Sequence, residues 1–600
     1  MTTIITTQPR ELNSWRAAGL LYGDLGTSKA YVLGLAFAMA GHASFWFILA
    51  VSVLTLIVGI NYVLICKFYP SGGGVYTSLK DRSKVLSVIG AFFLISDYFV
   101  TAALSALSAF NYLGVAQPEL WAMGSILLIG LLNFLGPKRT GNLAIALAVP
   151  MIAAVFCLAL LSLPFIPLAV EHLQPAGGNL RQDWNVFVGI IVALSGIEAI
   201  ANTTSSMKLD PGFSYKRPSV YRTSTPAILF VIFEVCFFTS LLGLAMNALP
   251  GLEIVEGGHV SAPDNPNVRD SMLRYMGEIF AGELFGAMVG KIVGGAVSIV
   301  VTLLLLSAVN TAIVALCSLF FVMSRDDEMP QIFQKLNRFG VPSVSLWIAF
   351  LIPIALLAFV NDVSGLANLY AIGFVGAIAV NLGATSTNLR LDMTLFQRIF
   401  MFGTSLIMGL IELTLFVDKP DARGFVVGII GVGLLLRALA QEQKKPEIPT
   451  RAPLESPLVP IPSATNKSWM VAITGLSKSL EYALEESQIH QIPLYILFIR
   501  EQKVVTESDH QKNWLDDPEA CKVFDYIIAR EPRMPMEFVY TITAHTAHSV
   551  SEIAQEKKVS HIILGRARKA SLSFLHVVRG TTVRDLARLI PEKTDIIVVY

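Results

Sequence analysis

The chain has 600 residues, of which 54% are hydrophobic and only 15% charged, and its formal net charge is +1. Soluble domains normally carry about a quarter charged residues, so the composition excludes an ordinary soluble protein of this length. The near-neutral charge gives no reason to expect a nucleic acid polymer as a partner. The five cysteines follow no CxxC spacing and are interpreted as small apolar residues, not as a disulfide or metal framework.

Long apolar runs recur through the first 440 residues and are separated by short polar breaks. An apolar run of about 18 residues is enough to cross a hydrocarbon core roughly 30 Å thick. We therefore predict an α-helical polytopic membrane domain of about twelve spans, the eighth of which is unusually long. The predicted spans are 17–39, 44–66, 86–113, 120–136, 142–164, 185–206, 226–248, 286–323, 344–361, 366–388, 397–416 and 422–440.

Basic residues are concentrated in alternate loops, for example at Lys67, Lys138 and Arg325, and the loops between them are poor in Lys and Arg. Because basic loops stay in the cytoplasm, we predict that both termini are cytoplasmic and that the protein lies in the inner (plasma) membrane. The N-terminus lacks the features of a signal peptide, so the first span is expected to act as its own insertion signal. The longest outer loop, at about 249–285, has no role legible in its sequence.

The character of the chain changes after Ala440. Residues 441–467 hold six prolines among Lys, Glu, Ser and Thr, which predicts a semi-rigid linker. Beyond it, five apolar runs (MVAITG, IPLYILFI, MEFVYTIT, HIILG and DIIVVY) alternate with helical patterns. Such alternation is typical of a doubly wound parallel α/β sheet. The predicted organisation is a transmembrane transporter domain at 1–440, a linker at 441–467 and a cytoplasmic α/β domain at 468–600.

The third span carries the strongest functional signal. Asp97, Thr101 and Ser105 are spaced i, i+4 and i+8, so they share one helical face, and Tyr98 lies beside them. Carboxylate and hydroxyl oxygens suit a desolvated alkali cation, and an acid buried in a membrane usually marks a pathway or a site. The two hydroxyls alone are more simply explained by hydrogen bonds to their own helix. It is Asp97 on the same face that favours a binding site.

The first and sixth spans are predicted to be broken helices. In the first, two glycines and two hydroxyl residues surround Asp24, and each glycine lowers helix propensity by up to about 1 kcal/mol. In the sixth, Ser195 and Gly196 come shortly before Glu198. Transporters bind ions at the exposed carbonyls and half-helix ends of broken helices. A pure packing role for Gly196 is the alternative, but it does not account for Glu198.

These motifs resemble the amino acid–polyamine–organocation superfamily. The run Tyr69–Tyr76 (YPSGGGVY) is similar to its P-x-G-G-x-Y loop. Residues Ser324–Pro330 (SRDDEMP), with FGVP following at 339–342, are similar to its loop after the eighth span. The resemblance implies a leucine-transporter-type fold, which is a 5+5 inverted repeat plus two helices, with the site between the corresponding first and sixth spans.

Within this superfamily the sequence is most similar to two potassium families. The run YGDLGTS in the first span is similar to the Y-G-D-I-G-T-S signature of the KUP potassium uptake family. The other positions resemble the KimA-type potassium–proton symporters, which combine a D-Y-x-x-T-x-x-x-S stripe with motifs in the first, sixth and tenth spans. The residues that the resemblance implies for K⁺ binding are Tyr31, Asp97, Tyr98, Thr101, Ser105, Ser195, Glu198 and Tyr370, with Asp24 and Glu198 implied for proton coupling.

Lys29 stands where the KUP signature has a proline. An ammonium group close to Asp24 and Asp97 would neutralise a carboxylate or occupy a cation position itself, so we expect Lys29 to modulate the site. The alternative is that its long side chain turns away from the acids.

The C-terminal domain resembles universal stress protein domains, as found behind the membrane part of KimA-type symporters. Their nucleotide motif, G-x-x-G-x₉-G-[ST], is incomplete here, because the second glycine is absent after Gly565 and the later glycine is displaced by two residues. ATP binding is therefore not expected, whereas a cyclic dinucleotide or another anion remains an alternative to a solvated basic loop. The residues of this candidate anion loop are Gly565, Arg566, Arg568, Gly580 and Thr581. The resemblance also implies a homodimer.

The sequence thus predicts a secondary active transporter that imports K⁺ with H⁺, that uses no cofactor and that has no enzymatic role. Two alternatives stay open. One is an amino acid or polyamine permease that uses the same cleft, and the other is a transport-deficient membrane sensor whose site is filled by Lys29.

Overall fold

The computed structural model describes residues 10–443, apart from 11, 71, 73, 81, 135–139, 214–217, 256–257, 264, 266, 338 and 340. It also describes residues 468–599, apart from 503–512, 531–533, 544–545, 566–585, 588 and 591–593. The backbone alone is described at 140–143, 205 and 443. The described residues divide into two compact units, one at Arg10–Lys444 and one that comprises the described residues after 467.

The first unit is almost entirely helical, as its high content of Leu, Ile, Val, Phe and Ala predicts. Its helices in the described residues are α1 (Ser14–Leu25), α2 (Lys29–Ala40), α3 (Ser44–Phe68), α4 (Val75–Lys80), α5 (Lys84–Leu113), α6 (Pro118–Asn133), α7 (Thr140–Ser162), α8 (Ile166–Glu171), α9 (Leu180–Gly189), α10 (Ala199–Thr203), α11 (Tyr221–Ala245), α12 (Met272–Phe285), α13 (Ala287–Arg325), α14 (Ser343–Phe359), α15 (Val363–Ser386), α16 (Leu395–Asp418) and α17 (Pro420–Gln443). The central helix α5 packs against α13 and α15, and α3 packs against α11.

Eight helical segments of the described residues are long and apolar enough to cross a membrane, and the bent pair Leu180–Gly189 and Ile191–Thr203 makes a ninth. The segment Ser14–Phe68 covers the first two predicted spans, and the shorter apolar helices α6 and α14 lie at the fourth and ninth. The prediction of a polytopic helical membrane protein is therefore confirmed. Every predicted span overlaps helix in the described residues, although fewer than twelve reach spanning length by themselves. The long eighth span is the 39-residue helix α13.

The two predicted helix breaks are present. Helix α1 ends at Leu25 and is joined to α2 by a single 3₁₀ turn, Gly26–Ser28. In the sixth span a 3₁₀ turn ends at Leu194, Ser195 is extended, and Gly196 has a φ of 92°, a conformation that strongly favours glycine. Helix α10 begins only at Ala199. The chain therefore leaves regular helix at the two places where its sequence combines glycine with polar side chains.

The loop between α11 and α12 contains a short antiparallel hairpin, β1 (Glu253–Val255) with β2 (His259–Ser261), and a buried arginine. Arg269 is 1% exposed, and its guanidinium lies 2.7 Å from Asp270 and 2.6 Å from Asp362 at the start of α15. Burial alone would lower the pKa of Arg269, but the hydrogen bonds and charges of both carboxylates raise it. The Arg269 carbonyl packs directly on Gly34 of α2, where it leaves no room for a Cβ atom. The loop therefore packs against the middle of α2.

The second unit is the predicted doubly wound α/β domain. Its strands are β3 (Trp469–Ile473), β4 (Leu494–Glu501), β5 (Met536–Thr543), β6 (His561–Gly565) and β7 (Asp595–Val599), and its helices in the described residues are α18 (Lys478–His490), α19 (Pro518–Ile528) and α20 (Thr546–Glu556). The strand order is β5-β4-β3-β6-β7, and all pairs are parallel. Apolar residues of α18 and α19 cover one face of the sheet, and those of α20 cover the other.

Asp517 connects the N-terminus of α19 to the edge of this sheet, and it makes the stability of the domain sensitive to acid. Its carboxylate accepts hydrogen bonds from Arg500, from the Tyr540 hydroxyl at 3.0 Å and from two backbone amides of α19. Burial by itself raises the pKa of Asp517, but these hydrogen bonds outweigh burial and hold the pKa below its usual value of 3.8.

Since the pKa of Asp517 is depressed in the folded state, its stabilisation is complete above about pH 4 and is lost as the pH falls through the folded value. We expect Asp517→Asn to destabilise the domain by about 1.5–3 kcal/mol at pH 7 and by progressively less below pH 4. Urea unfolding of residues 468–600 at a series of pH values measures this difference. A difference between the two proteins that does not change between pH 7 and pH 3 would contradict the assignment.

Candidate cation site

Helix α5 presents the predicted stripe to the interior of the membrane unit. Asp97, Tyr98, Thr101 and Ser105 are each 6% exposed or less. The Thr101 hydroxyl donates to the Asp97 carbonyl at 2.9 Å, which is the local hydrogen bond expected of a helical threonine. That bond uses the hydroxyl proton and leaves the oxygen lone pairs of Thr101 free to act as a ligand.

The breaks in the first and sixth spans lie against each other. A Cβ atom on Gly196 would be 2.6 Å from the Leu25 amide nitrogen and 2.9 Å from the Asp24 carboxyl carbon. This close approach puts Asp24 beside the turn that carries Ser195 and Glu198. The Tyr31 side chain, one turn into α2, interacts with Ser195 and with Asp97. The two broken helices therefore contribute to the same buried region as α5.

Helix α15 closes the fourth side. A Cβ atom on Gly373 would be 2.8 Å from the Asp97 amide nitrogen, so α15 and α5 are in backbone contact at this level. Tyr370, one turn earlier on α15, is 1% exposed and interacts with Asp97, Tyr31, Asp24 and Glu198. The implied K⁺-binding residues of all four helical segments thus lie in or around one buried region, except that Ser105 is shown only to be buried on α5, two turns beyond Asp97.

The carboxyl groups of Asp97 and Glu198 give the site its electrostatic character. They interact with each other and with Asp24, and all three residues are at most 5% exposed. Among the described residues, no hydrogen bond of normal geometry reaches either oxygen of Asp97 or either oxygen of Glu198. No Lys or Arg of the described residues forms an ion pair with these acids, and buried carboxyl groups this close together are stabilised by shared protons or by a bound cation.

The donor set of this site consists of oxygen atoms. Among the residues that the structure describes, no three His, Cys, Asp or Glu side chains lie close enough to hold one metal ion together. Hydroxyl, phenol and carboxyl oxygens surround the acids instead. A large, weakly hydrated cation can exchange its water for such a mixed oxygen shell without needing several carboxylates at one point.

Lys29 does not face this site. Its ammonium group is fully buried on the other side of the first span and lies 2.6 Å from Glu234 of α11 and 3.2 Å from the Tyr22 hydroxyl. The same hydroxyl donates to Glu234 at 3.1 Å. Lys29 therefore neither neutralises Asp97 nor fills the space between the acids. It is part of a separate buried ion pair that joins α2 to α11.

The candidate anion loop of the second unit falls mainly outside the described residues, which exclude Arg566, Arg568, Gly580 and Thr581. Only Gly565, the last residue of β6, is described.

Several polar residues near the site were not predicted from the sequence. Asn202 donates to the Tyr98 hydroxyl at 2.7 Å, and the buried Tyr62 of α3 interacts with Glu198 and Asp97. Glu234 and Glu412 were missed as well. Each is an isolated acid within a predicted apolar span, and that signal alone marks a residue for attention.

The glycine at the break of the sixth span leads to a prediction. Gly196→Ala places a methyl group against the backbone of α1 and requires a positive φ, so we expect cation uptake to fall at least tenfold. Gly212 is a matched control, because its φ is 88° but the space around it is open. Gly212→Ala should cost only about 1 kcal/mol in stability and leave uptake near wild type. Equal uptake by the two variants would show that the close contact at Gly196 is unimportant.

The fold and this site define the class of the protein: a multi-pass membrane protein with a buried acidic site between interrupted helices. The model of the amino acid permease family matches residues 12–439, which is more than half of the chain. The chain therefore belongs to the amino acid permease family.

Individual relatives are potassium transporters. The potassium transporter KimA of Bacillus subtilis is 26% identical over 391 residues, which are 61% of this chain and 59% of that protein. The low affinity potassium transport system protein Kup of Yersinia pseudotuberculosis is 29% identical over 220 residues, which are 31% of this chain and 35% of that protein. The alignments thus span about 35–60% of the length of these relatives. Among solved structures, a manganese transporter of Eremococcus coleocola superposes with a TM-score of 0.45 at 14% identity, over 73% of this chain and 94% of that one.

Proposed function

We propose that the chain is a secondary active transporter that imports K⁺ together with H⁺. The observation that carries the proposal is the buried oxygen-lined site in which, among the described residues, no donor of ordinary geometry reaches the four carboxyl oxygens of Asp97 and Glu198. The potassium transporters KimA and Kup, to which this chain is similar, support the choice of ion.

In the proposed mechanism, oxygens from four helical segments replace the water shell of K⁺. Asp97 and Glu198 supply negative charge, Thr101, Ser105 and Ser195 supply hydroxyl oxygens, and Tyr31, Tyr98 and Tyr370 supply phenol oxygens. The free-energy cost of removing water from K⁺ is offset by binding to these oxygens, because packed helices already hold them in place. Ions enter and leave when the half-helices on either side of the two breaks move relative to α5 and α15.

Coupling to protons follows from the chemistry of the acids. A carboxylate that loses its charge to a proton attracts a cation much less, so protonation of Asp24 or Glu198 alters the affinity of the site for K⁺. Import of both ions in the same direction also requires a conformation in which one acid holds the proton while the remaining oxygens hold K⁺, and an inward proton gradient then drives accumulation of the cation.

A permease for amino acids is the second candidate, and the match to the amino acid permease family is the observation that favours it. Such a substrate needs donors for its carboxylate, and transporters of this kind supply them as backbone amides at broken helices. The sensor hypothesis loses its motivating observation, because Lys29 pairs with Glu234 outside the site.

Uptake into proteoliposomes separates the two candidates. With an inward proton gradient, ⁸⁶Rb⁺ should accumulate and excess K⁺ should compete with it, whereas a panel of labelled amino acids should not accumulate. Expression should also rescue a K⁺-uptake-deficient bacterium on low-K⁺ medium. Accumulation of an amino acid without ⁸⁶Rb⁺ would replace the proposal with the permease.

The arrangement of the chain around this function is also proposed. Residues 1–440 form the transporter domain in the inner membrane, 441–467 form the linker, and 468–600 form a cytoplasmic domain of the universal stress protein type that supports a homodimer and binds an anionic regulator such as a cyclic dinucleotide. Both termini are then cytoplasmic.

A further inference from the structure

A second unpaired acid lies within the helical core, away from the cation site. Both carboxyl oxygens of Glu412 on α16 are buried, and among the described residues neither has a hydrogen-bond partner. No Lys or Arg of the described residues forms an ion pair with it. An ionised carboxylate that is buried without a partner is strongly unfavourable, so this environment suits a protonated acid.

The position of Glu412 is defined by a small residue of α15. A Cβ atom on Gly376 would be 3.0 Å from Glu412 Oε1 and 2.7 Å from the ring of Phe93 on α5. Gly376 is three residues after Gly373, the residue that packs on Asp97, and Phe93 is four residues before Asp97. The Glu412 carboxyl therefore reaches the seam between α5 and α15 about one helical turn from the cation site.

Co-transport in one direction requires that the proton and the cation be bound at the same time. The proton and K⁺ compete for a carboxylate that ligates the cation, since protonation removes the charge that holds K⁺. Glu412 avoids this conflict, because its carboxyl lies beside Gly376 and Phe93, about one helical turn from Asp97, and is not one of the proposed K⁺ ligands.

We propose that Glu412 is a proton-binding residue of the transport cycle, which holds a proton at the seam between α5 and α15 while K⁺ occupies the neighbouring site. The proposal rests on the proposed K⁺/H⁺ transport and adds a place for the proton that does not touch the cation. Loss of the proton leaves a charge in the seam that requires water or a cation, and so favours separation of α15 from α5.

The test compares two assays on the full-length protein in proteoliposomes. Glu412→Gln keeps the shape of the side chain and cannot ionise, so it should retain ⁸⁶Rb⁺ exchange driven by K⁺ on both sides while proton-driven accumulation falls at least tenfold. Glu412→Asp retains an ionisable group and should keep accumulation, with a shifted pH profile. The matched control is Ser405→Ala on the same helix, where the hydroxyl donates to the Ala379 carbonyl of α15 at 2.8 Å. It should leave both assays near wild type.

Two results would overturn the proposal. One is proton-driven accumulation by Glu412→Gln with the wild-type pH profile. The other is loss of exchange together with accumulation in a well-folded Glu412→Gln protein, which would place the residue in the cation path itself. If Glu412→Gln does not fold, the pH profile of Glu412→Asp decides, and an unshifted profile rejects the role. Absence of ⁸⁶Rb⁺ exchange in the wild-type protein would instead count against the proposed function.

Discussion

Asp97→Asn is expected to abolish ⁸⁶Rb⁺ uptake while the protein still folds and reaches the membrane. The substitution preserves the shape of the side chain and the helix, but it removes the negative charge at the centre of the four converging segments. Loss of a buried charged partner costs about 2–5 kcal/mol, and about 3 kcal/mol corresponds to a hundredfold weaker cation affinity. Initial rates of ⁸⁶Rb⁺ uptake over a range of K⁺ concentrations measure the effect.

The neighbouring residue Ser96 provides the control for Asp97. It is 1% exposed on the same helix, and its hydroxyl donates to the Phe93 carbonyl at 2.7 Å, so it is as buried as Asp97 but not part of the stripe. Ser96→Ala should transport at close to the wild-type rate. Undiminished uptake by Asp97→Asn would remove the proposed site, whereas a similar loss in both variants would attribute the effect to packing of α5.

The second large effect is expected at the buried pair of Lys29 and Glu234. Lys29→Met leaves Glu234 buried without its counter-charge, and breaking such a pair from one side typically destabilises a protein by about 3–5 kcal/mol. Glu234→Met should likewise leave the Lys29 ammonium group buried without its counter-charge. We expect each single variant to lower the melting temperature in detergent and to reduce the amount of folded protein.

The double variant Lys29→Met/Glu234→Met removes both charges and replaces them with apolar groups of similar length. Because no isolated charge remains, most of the lost stability should return, and uptake should return with it if the pair acts only by joining α2 to α11. A double variant that is as unstable as either single variant would contradict the pairing. A gain of cation transport in Lys29→Met alone would revive the idea that Lys29 blocks the site.

Much of the architecture could be predicted from the sequence, because the signals are local. The strands β5 and β6 coincide with the apolar runs MEFVYTIT and HIILG, since continuous β-branched and aromatic residues specify a buried parallel strand. The break at Gly196 was predictable because glycine and neighbouring polar side chains weaken a helix where no surrounding water compensates.

The environment of Lys29 could not be predicted in the same way. The single 3₁₀ turn at Gly26–Ser28 changes the rotation of α2 relative to α1, and a rotation of this kind decides whether a side chain faces Asp24 or α11. Sequence spacing alone does not give that angle. The partners of Asp97 on α15 are likewise set by the close contact at Gly373, which depends on tertiary packing.

The loop between α11 and α12, whose sequence suggested no role, is tied to the rest of the unit through Arg269. Asp270 adjoins Arg269 in the chain and travels with it, whereas Asp362 belongs to α15. Lifting the loop away from Gly34 therefore ruptures one of the two ionic contacts and keeps the guanidinium neutralised throughout. Separation of this loop from α15 is thereby made less costly than the burial of an arginine would suggest.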